Sequence, residues 1–449
     1  MSTAGLLTTK ALFRSLLASG ALALAFGFCG KVFADPIPKG WEAKNMRAIG
    51  YSDLEGRRGG FKMAIKQVNG RWYMYMAHLW HYGFSILDVT DARNPKVVKW
   101  VPGPENSWDI QVTLHDNLLI TGMAKQPPDW GGDNAKPFSE GALLWDISDP
   151  VNPKQLAHWK AGDIGTHRNS YPGGRYAYMS AAVPGYRGYI LIILDVSDPA
   201  NPKEAGRWAM PGQKQGEAGE PPFGFHGPAN ISPDGKMASM GYAPAVINLD
   251  ISDIANPKLI GKLQFTPPFI SAGSQSEHTV LPLWDRKLLF AMSEAAAEGC
   301  DRDALNFAGM VDNKDPAKPR LISFFPLPLP PKNAPYKSFC DKGGRFGPHN
   351  TNQEIHLPDV EKPGNLVYVT YFNAGLQVYD IKDPRQPFIS GYFIAPKPPK
   401  NVGPYPKALV TQAEDVLVDT RGNVYVTDKN WGMYVLRYTG PDQPRPTAR

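Results

Sequence analysis

A twelve-residue unit, Leu-Ile-Ile-Leu-Asp-Val-Ser-Asp-Pro-Ala-Asn-Pro at Leu191–Pro202, constrains the fold more than any other feature, because versions of it recur along most of the chain. It reads as an apolar, β-rich run closed by a turn. Asp198, Pro199, Asn201 and Pro202 supply preset φ angles and side-chain caps for exposed backbone N–H groups. An unbroken apolar run fits a strand covered on both faces. Copies lie at Phe84–Pro95, Ala142–Pro153, Leu191–Pro202, Val246–Pro257, Ala308–Pro319 and Leu376–Pro387, with a weaker seventh at Met433–Pro441. All-β units repeating at roughly fifty to sixty residues specify a β-propeller rather than a helical solenoid.

Each copy is expected to be the third strand of a four-stranded blade, with a fourth after its turn, as at Glu204–Ala209 and Leu259–Phe265. Two strands come before it. In the third blade these are His167–Tyr171 and Tyr176–Ser180; in the fourth, His226–Ile231 and Met237–Gly241. The seventh copy has no fourth strand, because Arg437-Tyr438-Thr439-Gly440 runs into a proline-rich tail. Residues 45–51 resemble the strand at Lys258–Leu263 and are expected to supply it. The expected fold is all-β: a seven-bladed β-propeller of four-stranded blades, the last closed by the N-terminal strand. Long loops rich in proline and aromatics then gather on one face and tight turns on the other.

The unit at Leu191–Pro202 resembles the repeat of the LVIVD-repeat propeller family, and the likeness covers nearly the whole mature chain. The resemblance implies a secreted or cell-envelope propeller. It implies no single reaction, so no catalytic residue carries over.

Residues 1–34 read as a secretory signal: Lys10 and Arg14 precede an apolar run from Ser15 to Phe28, and Val32-Phe33-Ala34 offers a cleavage site. Residues 35–449 are then one propeller domain, periplasmic or secreted, with no membrane span once the signal is removed. Loss of Lys10, Arg14 and Lys31 lowers the net charge from +6 to +3, too little to argue for a nucleic-acid partner. Loss of Cys29 leaves Cys300 and Cys340, an even count that suggests one disulfide; two unpaired buried thiols are the alternative.

Aligning the first strands by the turns and strands after them sets Asp109, His167, His226, His278, His349 and Glu414 at equivalent strand entrances. In a propeller the first strand lies innermost, so these side chains converge on the central channel. Four of the chain's nine histidines fall at this one position. Neutral imidazoles are good transition-metal ligands, and an arc of them leaves coordination positions open, which favours catalysis over a structural site. The expected ligands are His167, His226, His278 and His349, for iron or copper ahead of zinc or manganese. Asp109 and Glu414, with Glu294, can accept the remaining ring N–H groups. The competing reading is a hydrated channel whose histidines are satisfied by water and backbone.

His81 and Glu294 are the acid–base candidates. His78, Trp80, Tyr82, Phe223, Phe225, Tyr336, Tyr405 and Trp431 form the expected pocket for an apolar or aromatic small-molecule substrate. His115, His158 and His356 read as structural. Asp146, Asp195, Asp250 and Asp380 recur beside proline turns, which favours backbone capping over calcium binding. Two functional readings are then open. One is a metal-dependent envelope enzyme, with redox chemistry preferred over a hydrolase or lyase role; the other is a non-catalytic scaffold that binds a protein or glycan through its loop face.

Overall fold

The computed structural model of the chain describes residues 34–218, 224–265, 274–301 and 306–443, and their secondary structure is strands with three short 3-10 turns. The signal-sequence reading of residues 1–34 therefore falls outside the described residues except at Ala34, as does Phe223. Among the described residues no helix is long and apolar enough to cross a membrane.

The repeats are buried strands for the reason their composition suggests. Tyr189–Asp195 is buried everywhere but its two ends, because it lies between Tyr176–Ala182 and Lys203–Trp208 in an antiparallel meander. The same order recurs in Gly60–Val68, Arg71–His78, Gly83–Asp88 and Lys96–Pro102, and in Ser274–Leu283, Leu288–Ala295, Ala308–Asp312 and Arg320–Phe324. The scaffold is an all-β propeller. Its repeat aspartates cap turns: Asp195 Oδ1 accepts from the Ser197 N–H at 3.0 Å, and Asp146, Asp250 and Asp380 accept from Ser148, Ser252 and Lys382 in the same way.

A register shift marks the pairing of third with fourth strands at one level throughout, between Ile86 and Leu87, Ile193 and Leu194, Asn248 and Leu249, Met310 and Val311, and Val378 and Tyr379. Such bulges increase local twist. Met46–Ser52 pairs antiparallel with Gly432–Tyr438, from Met46 opposite Tyr438 to Ser52 opposite Met433, and carries the same shift between Ala48 and Gly50. Met46–Ser52 is the edge strand of a four-stranded sheet with Gly432–Tyr438, Asn423–Asp428 and Ala413–Val418. A second short strand, Glu42–Lys44, adds an outer edge to Phe388–Ile394, which the repeat pattern does not foreshadow.

Neighbouring sheets share apolar cores. Met74, Leu87, Leu119 and Trp145 pack in one cluster with Tyr425, Met433 and Val435, so residues from both ends of the chain lie in one core. Asp415 Oδ2 accepts the Met63 N–H at 3.0 Å, and Thr427 Oγ1 donates to the Phe61 carbonyl at 3.1 Å across the same contact.

The innermost strands depart from expectation where the histidines lie. Instead of His167–Tyr171 the ladder holds Gly165–Thr166, and instead of His226–Ile231 it holds Gly224–Phe225 and Asn230–Ile231. Gly227 at φ +91° and Pro228, which has no N–H to give, take the backbone out of the sheet after His226. Around His349 no strand forms; in four other repeats the first strand bulges at this level, between Gly60 and Met63, Trp108 and Gln111, Gln275 and Thr279, and Ala413 and Val416. Bulges re-aim side chains, and here they frame the channel entrance.

Candidate functional site

Three of the four aligned histidines meet one carboxylate. Glu294, at the end of Leu288–Ala295, places Oε2 3.3 Å from His278 Nε2 and 3.9 Å from His226 Nε2, and Oε1 3.7 Å from His349 Nε2. The rings form an arc with centroids 4.5 Å apart for His167 and His226, 4.1 Å for His226 and His278, and 5.0 Å for His278 and His349. His167 ends the arc beside Tyr189. The sequence suggests an acid–base role for Glu294; its position among the imidazoles makes it a candidate ligand.

Hydrogen bonds on the far side of the rings orient them. The His349 Nδ1–H donates to the Glu414 carbonyl at 2.8 Å. The His278 Nδ1–H donates to Thr279 Oγ1 at 2.7 Å, and that hydroxyl donates to the His349 carbonyl at 3.2 Å. Both Nε2 lone pairs are left facing Glu294, while His226 Nδ1 is buried without a hydrogen-bond partner. Burial lowers the pKa of all four imidazoles, to about 3 for His167, so they are neutral near pH 7.

The carboxylates are held by cations that the sequence did not single out. Glu294 Oε1 pairs with Arg345, which also donates to the Ala295 carbonyl. Lys429 Nζ lies 3.4 Å from Glu414 Oε1 and 4.2 Å from the centroid of Trp130; burial lowers its pKa to about 8 and raises that of Glu414 to about 7. Arg168 crosses the channel beneath the arc, donating to Thr279 Oγ1 at 2.8 Å, Asn350 Oδ1 at 2.9 Å and Gln353 Oε1 at 2.6 Å. Below it Lys62 pairs with Glu354 at 3.0 Å and Asp415 at 3.6 Å. Along this column Lys62, Arg168, Arg345 and Lys429 balance Glu294, Glu354, Glu414 and Asp415. Phe372, held at φ +44°, stacks on His349 and lies 3.9 Å from the Arg345 guanidinium. A left-handed non-glycine residue costs about 1 kcal/mol or more, so its ring is placed at some expense.

Above the arc is a cavity of about 210 Å³, with His167, His226, His278, His349, Glu294 and Arg345 on one side and Phe61, Leu79, Trp108, Ile110 and Trp130 on the other. Asp109 does not join it. Its neighbours Trp108 and Ile110 take the inward positions, while its carboxyl lies against Gly103, where any side chain would collide with it.

The structure spreads the residues of the expected substrate pocket over several places. Phe225 is fully buried and stacks on Tyr242. His78 is buried, donating from Nδ1 to the Arg58 carbonyl and accepting the Ser85 hydroxyl at Nε2, and His81 joins it around Trp100. Tyr82 lies outside the cavity, and Trp431 is engaged with the Pro396 carbonyl. Tyr336 lines a separate cavity with Lys342 and Glu42. Trp80 stands behind the wall, stacked on Trp130, and Tyr405 touches Trp130 while donating to the Ala296 carbonyl. His115, His158 and His356 lie away from the arc; His158 donates to the Glu140 carbonyl at 2.7 Å, and His115 stacks on His356. Cys300 and Cys340 form a disulfide.

The LVIVD repeat family model matches residues 174–209 and 358–393. The chain carries LVIVD repeats. The matched segments hold the third strands Tyr189–Asp195 and Leu376–Asp380 and none of the four histidines, and they reach the site through Tyr189 beside His167 and Phe372 against His349. No curated protein matches the chain. Similar solved structures include the β-propeller domain of Myceliophteria thermophila Cps50 (Swd1), at 9% identity over 84% of this chain and 96% of that one, with a TM-score of 0.49. A functionally unknown protein from Desulfotomaculum acetoxidans is 12% identical over 75% and 85%, with a TM-score of 0.46. A protein from Lactobacillus plantarum is 10% identical over 85% and 96%, with a TM-score of 0.47. None of these likenesses bears on a residue of the site.

Proposed function

We propose that this is a periplasmic or secreted oxidoreductase, a closed seven-bladed propeller that holds a transition metal at its axis and acts on an apolar or aromatic small molecule. The observation that carries the reading is the meeting of His226, His278 and His349 with Glu294. Their donor atoms stand 3.3 to 3.9 Å from the carboxylate, and those of His226, His278 and Glu294 lie within 4.8 Å of one another. Ligands about 2.0–2.2 Å from one ion are themselves roughly 3–3.5 Å apart, so the set needs little adjustment. Two histidines, one carboxylate and open positions suit iron, with copper next; such an ion would supply one-electron chemistry. The count of seven blades rests on the meanders together with the Met46–Ser52 pairing, and the secreted location on the signal sequence and the disulfide.

The chain's own residues have defined parts. His278 and His349 present Nε2 because Thr279 and the Glu414 carbonyl hold Nδ1–H; Arg345 orients Glu294 by pairing with Oε1; Arg168 ties Thr279 to Asn350 and Gln353.

Metal content of the purified mature protein, measured by mass spectrometry beside His226→Ala, His278→Ala and Glu294→Ala variants, tests this. Stoichiometric metal lost in the variants is the expected result. Equal metal content in all four proteins, or none in any, overturns it. The scaffold reading rests on the exposed Leu327 and Leu329 in a proline-rich loop, and would gain if metal were absent and that loop bound a partner.

A further inference from the structure

Apart from the histidine site the chain builds a second cavity, of about 870 Å³, with a half-buried lysine in its wall. Lys342 ends the 3-10 turn Phe339–Lys342, whose start is closed by Ser338 and Asp341 in a reciprocal capping box. The Asn373 amide donates to the Phe339 and Gly343 carbonyls at 2.8 and 2.9 Å, and the Cys300–Cys340 disulfide ties the same turn to another loop. The backbone of Lys342 is thus braced from three sides, unlike that of a lysine on an open loop.

The surroundings of the amine favour its neutral form. Lys342 Nζ donates to the Asn373 carbonyl at 2.7 Å, and among the described residues no carboxylate pairs with it. Burial lowers its pKa to about 8 against the pull of Glu42 and Asp428, so about half of it carries a free lone pair at pH 8. A desolvated lysine without an ion-pair partner, opening on a cavity, is a nucleophile for carbonyl carbon.

The place also suits the product. In a protonated imine Nζ has three directions, taken by its own Cε, by the one remaining N–H toward the Asn373 carbonyl, and by the new carbon toward the cavity. That cation lies over the rings of Tyr336 and Phe339, whose centroids are 4.8 and 5.4 Å from Nζ and whose faces attract positive charge. Glu42, which accepts the Tyr336 hydroxyl at 3.2 Å, lines the same cavity and can carry the protons that the step moves. Lys332 and Lys397 stand exposed in the wall and favour a negative group elsewhere on the ligand.

We infer that this cavity receives an anionic aldehyde or ketone and that Lys342 condenses with its carbonyl. A bond forms from Nζ to the carbonyl carbon and the C–O bond breaks. The oxygen leaves as water with one amine hydrogen and one proton from solvent, and the protonated imine remains.

Reductive trapping tests this. The mature protein, with its disulfide intact, is treated at pH 8 with cyanoborohydride and a substoichiometric amount of pyridoxal phosphate, 4-carboxybenzaldehyde or benzaldehyde, and the labelled lysines are mapped by peptide mass spectrometry. With both anionic probes Lys342 should take label at least about tenfold faster than any other lysine. Lys342→Arg keeps the charge and the donor to Asn373 and should remove the fast site. Replacing Lys332 and Lys397 by Gln should slow the two anions about tenfold and leave benzaldehyde unchanged. Label spread evenly over the lysines of the wild-type protein overturns the inference, whether or not the variants fold well. So does a fast label that persists in Lys342→Arg, or benzaldehyde that reacts as fast as the two anions.

Discussion

Both walls of the cavity draw on the inward positions of successive repeats, joined by Leu79 and Trp130 on one side and Glu294 and Arg345 on the other, yet one is polar and the other apolar. From His167 to His349 the inward side chain is an imidazole; in the first two sheets the inward positions belong to Phe61, Trp108 and Ile110. The polar wall is tied down by hydrogen bonds to Thr279, the Glu414 carbonyl and Arg345. The indole wall is held by packing, with Trp80 stacked behind Trp130. A repeat fold can thus vary one position around its axis and build a site with a reactive side and a receiving side.

The largest effect expected from breaking this contrast is on metal. His278→Ala should lower metal affinity by at least about a hundredfold, whereas Trp108→Ala should leave it unchanged, as equilibrium dialysis with a competing chelator would show. Equal losses would mean that the walls are not separate in function. Thr279→Val keeps the shape of its side chain and removes the acceptor of the His278 Nδ1–H, so metal affinity should fall by about ten- to a hundredfold; because the same hydroxyl also accepts from Arg168, ligand-free stability should fall by about 1–3 kcal/mol.

The disulfide sharpens the same comparison. Cys300 and Cys340, 40 residues apart, join segments that lead to Glu294 and Arg345. Cys340→Ser should cost on the order of 3 kcal/mol in chemical denaturation and loosen metal binding.

The smallest expected effect concerns His78, which belongs to neither wall. Burial lowers its pKa to about 3, against about 6.5 in an unfolded chain, so below pH 6.5 the unfolded state takes up a proton that the folded state refuses. Its contribution to stability is complete above pH 6.5 and declines as pH falls toward 3. His78→Gln should flatten that part of a stability–pH curve and leave metal content intact; an unchanged slope would place the titration elsewhere.

The repeats, the buried third strands, the capping aspartates and the histidine arc were legible in the sequence because each depends on a short local pattern or on its spacing. Asp109 was misread for a physical reason: a bulge between Trp108 and Gln111 changes which side chains face inward, and register is invisible to an alignment of strand entrances. Phe225 and Trp431 failed similarly, since aromatic loop composition does not tell a cavity wall from a core. The chain by itself determined that strands would repeat and that four histidines would occupy one level. Only the tertiary structure decided that Glu294, from a second strand, stands among three of them, that Arg168 and Arg345 fix the site's charge, and that Trp108 and Trp130 face it, because those contacts join residues far apart in sequence and set by packing between sheets.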